Sequence, residues 1–296
     1  EQVIINTPDI TLASNGGDAD DTVITWYYGI GYKYYSSVDS HYDPYADYDK
    51  FAKGDVTDDW GSAVVIETGG AGFKAENIKF ENSFNKYMTE EEVADGVEVN
   101  GLQSITVERN ESTNVDTRTA TERAAALVNY ADMVEFKDCS FIGSQDTLYT
   151  GNRGELKSYY KNCYIEGQTD FIYGSGDVIF DGCEINFCGY DGTESAGYIT
   201  ANSCSQKYMA EAGYIFRSCY ISYNQERMVT PGYLGRTWGD SAKAAFINTQ
   251  LQEEDMILPE GWSEMSGIKP TDSTVTIVEY NTTYAGNKVD TSGRVT

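Results

Sequence analysis

The chain has 296 residues, 23% charged and 40% hydrophobic, an ordinary soluble composition with enough length for a substantial core. It holds no 18-residue apolar run, which argues against a membrane span, and a removed leader would leave no trace. Its formal charge of -26, from 47 acidic and 21 basic residues with no basic patch, argues against nucleic acid as a partner.

In chain order, the acidic runs DADD at 18–21 and DVTDD at 55–59 lack the spaced ligand pattern of a calcium loop. His41 is the one histidine and no CxxC occurs, so no metal and no other cofactor is expected. From Trp26 to Phe51 the chain is crowded with tyrosine, suited to packing on a sheet or to a carbohydrate platform. Next comes FKAENIKFEN at 73–82, and its relatives follow: VEFKDCSFIG, SYYKNCYIEG, VIFDGCEINF and YIFRSCYISY. Each alternates aromatic and β-branched residues and is broken by a polar or glycine-containing turn, a pattern of strand, turn, strand.

The cysteines in these phrases are Cys139, Cys163, Cys183 and Cys219, at intervals of 24, 20 and 36 residues. Two intervals match one coil of a β-solenoid, and the third matches a coil with an inserted loop. Asn77, Asn162 and similar turn residues are placed to hydrogen-bond along such a stack. The six cysteines, with Cys188 and Cys204, are expected as buried free thiols rather than disulfides, because equivalent positions on successive coils need not point at one another. The expected fold is all-β, a parallel β-helix with long loops on one side; a β-sandwich is the structural rival. The tail after Pro259, with its strand-like TVTIVEY, is expected to close the stack.

SQDTLYTG at 144–151 and GQTDFIYG at 167–174 repeat one another 24 residues apart, with Asp146 and Asp170 in matching places. One coil would set their backbones about 4.8 Å apart. Two carboxyls that close disfavour double ionisation, so one can keep a proton while the other attacks. A structural use, two turn aspartates at a sheet edge, is the alternative. A nucleophilic carboxylate needs aiming, and Arg236, beside Trp238 in YLGRTWG, offers a planar bidentate fork. A serine esterase is a poor fit, since there is one histidine and no GxSxG elbow.

QDTLY at 145–149, GQTDFIYG at 167–174 and YLGRTW at 233–238 resemble the three signature segments of the pectin methylesterase (pectinesterase) family. GFKAENIKFENS, TERAAAL, PEGW at 259–262 and EY at 279–280 are similar to further family segments in the same order. The resemblance covers the chain from about residue 60 and implies a right-handed single-stranded parallel β-helix of the pectin-lyase-like kind. It implies Asp170 as nucleophile, Asp146 as general acid and then base, Gln145 as an oxyanion donor and Arg236 as the holder of the nucleophile. It also implies Trp238, Phe171, Tyr149 and Thr200 as substrate contacts. Arg123 aligns with the family's second oxyanion glutamine; it can donate to the oxyanion or serve as a rim salt bridge with Glu122 or Asp146. Thr237 replaces the proline usual after the arginine, a change expected to loosen the loop slightly.

Residues 1–296 are read as one esterase domain, with 22–59 as a Tyr-rich insertion between early coils. EQVIINTPDITLAS at 1–14 is similar to the middle of the family's first region, so a missing N-terminal segment or further domains are expected. The implied reaction is hydrolysis of the C6 methyl esters of homogalacturonan, on a methyl-esterified pectin substrate that the acidic surface tolerates better than pectate. An esterase for an acetyl or thioester group, a lyase or hydrolase on the same solenoid, and a carbohydrate-binding solenoid without catalysis stand as alternatives. A polymeric substrate suggests a secreted or cell-surface protein, and the atypical insertion suggests a bacterial source.

Overall fold

Each cysteine phrase forms a strand, a two-residue turn and a second strand in the computed structural model, which describes residues 2–27, 29, 32–34, 61–90, 97–99, 123–151, 155–189, 196–204, 212–226, 231–239 and 241–295. The strands stack into three long sheets, two of 8 strands and one of 9. One coil supplies one strand to each sheet: Leu148–Tyr149, Lys157–Lys161 and Tyr164–Gly167 are followed by Ile172–Gly174, Asp177–Asp181 and Glu184–Phe187. Each strand pairs in parallel with its equivalent in the neighbouring coil, which makes the fold a parallel β-helix and excludes the sandwich. Only the closing strand Asn287–Lys288 runs antiparallel in these sheets.

The turn inside the phrases is made by Asn77, Asp138, Asn162, Gly182, Ser218, Asn248 and Asn281, all with positive φ between 51° and 64°. Glycine, asparagine and aspartate reach this left-handed region at least cost, which is why those types recur there. The side chains link the coils: Asn162 donates to Asp138 at 3.2 Å and Asn281 to Asn248 at 2.9 Å. The next residue in each phrase points inward, giving the buried ladder Ile78, Cys139, Cys163, Cys183, Cys219, Thr249 and Thr282. Beside it the rings of Phe136, Tyr160, Phe180, Phe216 and Phe246 stack through successive coils with centroids 4.8, 4.9, 4.5 and 4.3 Å apart.

All six cysteines are buried and free. Burial pushes the thiols of Cys139 and Cys204 up to about 11, so little nucleophilic thiolate forms at neutral pH. A thiol reagent is therefore expected to titrate none of the 6 in the native protein and all of them after unfolding in denaturant. Rapid native labelling of even one would contradict the ladder.

The interval of 36 between Cys183 and Cys219 is one coil, since Asp181 pairs with Arg217. Val23–Trp26, inside the stretch 22–59 read as an insertion, is a strand of the third sheet paired with Lys79–Asn82. Beyond it, Tyr32–Tyr34 pairs antiparallel with Val97–Val99, and 35–60, including His41 and DVTDD, lies outside the described residues. Asp18 caps a short turn and Asp20 pairs with Lys79 at 2.5 Å, a structural use of the first acidic run. TVTIVEY contributes the strand Thr276–Tyr280 to the last coil, where Glu279 holds Arg294 at 2.6 Å in a buried ion pair.

Candidate active site

Residues in register on the outer face of the first sheet form a row through the stack: Val65, Val128, Tyr149, Tyr173, Ala201, Arg236 and Ser263. Beside it runs a shorter row, Arg123, Gln145 and Thr169, joined by parallel bridges. Asp146 and Asp170 lie between these rows, each one residue beyond or before a paired position, so they are equivalent places on adjacent coils. Both have left-handed backbones, φ 60° and 49°, and the Asp146 amide donates to the Thr169 carbonyl at 3.0 Å. This kink separates the bridge at Gln145 from the strand at Leu148 and turns each carboxyl toward the same cavity. Aspartate reaches this left-handed region at small cost, as at the turns of the cysteine phrases, so the kink itself adds little strain.

The cavity is about 240 Å³ and is lined by Arg123, Gln145, Asp146, Asp170 and Arg236, with Tyr173, Ala201, Trp238 and Met265 completing its walls. Asp146 and Asp170 are each only 6% exposed. Arg236 grips Asp170 with both arms of its fork, Nε to Oδ1 at 2.7 Å and Nη2 to Oδ2. Burial pushes the Asp170 carboxyl above its ordinary range, and the hydrogen bonds and charge of Arg236 pull against that rise without cancelling it. Burial also works against the Arg236 charge, but Asp170 outweighs it and the guanidinium is held above its usual range, with Tyr198 and Asp146 adding to the effect. Among the described residues the Gln145 Oε1, the acceptor end of the amide, is buried without a hydrogen-bond partner.

The cavity therefore gathers Asp170, Asp146, Gln145, Arg236, Arg123 and Trp238, but not the other three expected contacts. Phe171 is 0% exposed: it follows Asp170 and faces inward, where its ring meets Phe187 at 5.7 Å. Thr200 is 1% exposed, lies in the inward row with Leu148 and Ile172, and donates to the Leu234 carbonyl at 3.0 Å. Tyr149 belongs to the outer row but stands behind Tyr173, ring against ring at 4.8 Å, outside the cavity lining. Glu122, one partner considered for Arg123, lies outside the described residues. Thr237, in place of the usual proline, is fully buried, and its hydroxyl donates to the Ile268 carbonyl, tying the strand to the turn that carries Met265.

Tyr173 was missed by the sequence reading although a signal existed, since it repeats Tyr149 at the same place in the two matching phrases. Met265 has no such signal. A larger groove of about 470 Å³ on the second sheet, with Met133, Tyr159 and Ile179, is apolar in character. Its Asp177 accepts hydrogen bonds from the Ala212 and Gly213 amides at 2.9 and 2.8 Å.

A sequence model of the pectinesterase family matches residues 97–296. Among curated relatives, the probable pectinesterase A of Neosartorya fischeri is 38% identical over 174 residues, which is 58% of this chain and 48% of that protein. Pectinesterase 31 of Arabidopsis thaliana is 35% identical over 140 residues, 47% of this chain and 40% of its own length. The chain thus spans about half the length of the curated relatives it matches. Among solved structures, the pectin methylesterase of Aspergillus niger superposes with a TM-score of 0.67 at 27% identity, covering 100% of this chain and 76% of that one. These relatives are fungal and plant, and the bacterial source expected from the sequence finds no support in them.

Proposed function

The chain belongs to the pectinesterase family, and we propose that it removes C6 methyl esters from homogalacturonan, using Asp170 as nucleophile and Asp146 as acid and base. The observation that carries this reading is the pair of equivalent aspartates facing one cavity, with Asp170 held there by the Arg236 fork. An arginine fork favours the charged form of its partner. Asp170 accordingly takes the anionic role, and its oxygen adds to the ester carbonyl carbon to give a tetrahedral oxyanion. Gln145, with Arg123 beside it in register, is placed to donate to that oxyanion.

As the intermediate collapses, the C–O bond to the methoxyl breaks and Asp146 gives its proton to the departing oxygen, releasing methanol. The uronyl group is left on Asp170 as a mixed anhydride. Asp146, now ionised, takes a proton from water as the water adds to the same carbonyl carbon. Collapse frees Asp170 and the uronate, with one water consumed and one methanol formed. Trp238 and Tyr173, rings 6.3 Å apart at the cavity wall, supply aromatic surface for sugar rings. A polymeric substrate places the work outside the cell, and no helix among the described residues is long and apolar enough to cross a membrane.

The direct test is methanol release from highly methylated pectin. Absence of methanol from the folded protein, with release of acetate or a thiol from another ester, would transfer the same chemistry to that ester. The acid limb of kcat/KM should follow Asp170, which must be ionised to attack. Its carboxyl is raised by burial, so activity is lost on acidification above the ordinary aspartate range near about pH 3.9. Exchanging Arg236 for Met removes the opposing influence and should carry the limb to higher pH still. The same shift has a cost in stability: the folded protein binds this proton more tightly than the unfolded chain, so unfolding free energy falls as pH rises between the two pKa values.

A further inference from the structure

Arg236 and Asp170 are not on neighbouring coils. In the outer row Tyr173 pairs with Ala201 and Ala201 with Arg236, so the Arg236 side chain passes a whole coil, the strand Tyr198–Asn202, to reach Asp170. Directly beneath Arg236 that strand offers only Ala201, whose methyl leaves room for the side chain but no wall to hold it. Three residues earlier stands Tyr198, and the Arg236 guanidinium carbon lies 4.4 Å from the centroid of its ring. The ring is itself backed by Tyr233 on the next coil, parallel within 5° at 5.2 Å. Tyr198 pairs with Tyr233 in register, at the same offset that separates it from the Ala201 and Arg236 pair.

We propose that Tyr198 is a positioning residue: its ring, stiffened by Tyr233, holds the Arg236 guanidinium in the plane that grips both oxygens of Asp170. This rests on the reading of Asp170 as nucleophile. A planar fork is effective only when its plane is fixed, and a long arginine crossing a coil over alanine has several rotamers to lose. A ring face attracts the cation and removes those alternatives. The phenolic hydroxyl is not needed for this, because the attraction comes from the ring.

The ionisable groups sharing the cavity with Arg236 are Asp170, Asp146, Arg123 and the Tyr173 phenol, and Tyr198 meets the guanidinium from the neighbouring strand. The test compares Tyr198→Met, which keeps bulk without a ring, and Tyr198→Phe, which keeps the ring without the hydroxyl. Two readouts are taken: methanol release, and the titration of Asp170 followed by NMR on carboxyl-labelled aspartate. Tyr198→Met is expected to lower kcat about tenfold with little change in KM, and to move the Asp170 titration upward as the grip loosens. Tyr198→Phe is expected to restore both. An unmoved titration in Tyr198→Met, or equal losses in the two variants, would overturn the assignment. If the wild type released no methanol, the esterase reading would fall, while the titration would still decide the role of Tyr198.

Discussion

Asp170→Asn is expected to cut methanol release from highly methylated pectin by at least about 10⁴-fold while the protein stays folded. The amide has the same shape but no anionic oxygen, so the first covalent bond of the reaction has no electron pair of adequate basicity behind it. Asparagine tolerates the left-handed backbone found at this position, φ 49°, so the turn itself has no reason to change. The Arg236 fork loses an anionic partner, but the substitution also removes a carboxylate whose burial opposes its charge. These effects offset one another, and the melting temperature should move by a few degrees only. Loss of activity with intact folding identifies the nucleophile. Activity within tenfold of wild type would move that role to Asp146, the only other carboxylate lining the cavity among the described residues.

Much of this arrangement was legible because the fold repeats itself. A left-handed turn tolerates few residue types and the next position is buried, so DC, NC, GC and SC mark the same corner of four coils. The 24-residue interval carried Asp146 and Asp170 into register for the same reason: no loop intervenes within that coil beyond what its spacing already includes. Where loops differ in length, spacing loses its meaning. Arg236 is 66 residues from Asp170, and nothing in that separation says that it reaches back across two coils. The arginine was found by the chemistry a carboxylate requires and by the resemblance of its segment.

Two of the four expected substrate contacts, Phe171 and Thr200, fall on the inward side of their strands. Phe171 and Thr200 belong to segments that build the site, but adjacent residues on a strand face opposite ways, and both side chains point into the core. Tyr173 was available by the same rule, since it stands three residues after Asp170 as Tyr149 does after Asp146. Tyr198 could not be found from spacing, because its partnership with Arg236 depends on a side chain crossing from one coil to another. Thr237 shows a different limit. Losing a proline reads as loosening when only the backbone is considered, and the tie of its hydroxyl to Ile268 has no mark in the sequence.

Asp146→Asn separates acid and base work from structure, and its effect should depend on the leaving group. With methyl esters, a loss of about 10²- to 10⁴-fold is expected, because methoxide is a poor leaving group and no other carboxyl among the described residues shares the cavity with Asp170. Asparagine accepts the left-handed turn at φ 60°, and the backbone bond to Thr169 involves only the main chain, so the site should keep its shape. A nitrophenyl ester of galacturonic acid needs no proton on departure. Asp170 should therefore still attack it, releasing nitrophenolate in a burst of about one equivalent per enzyme. Turnover should then stall, since water attacking the anhydride has lost its base. Equal slowing of methyl and nitrophenyl esters, with no burst, would mean that Asp146 serves the attack itself or only the turn. A burst followed by slow turnover would place its proton on the leaving oxygen first and its base function second, the order that a single carboxyl one coil from the nucleophile can perform.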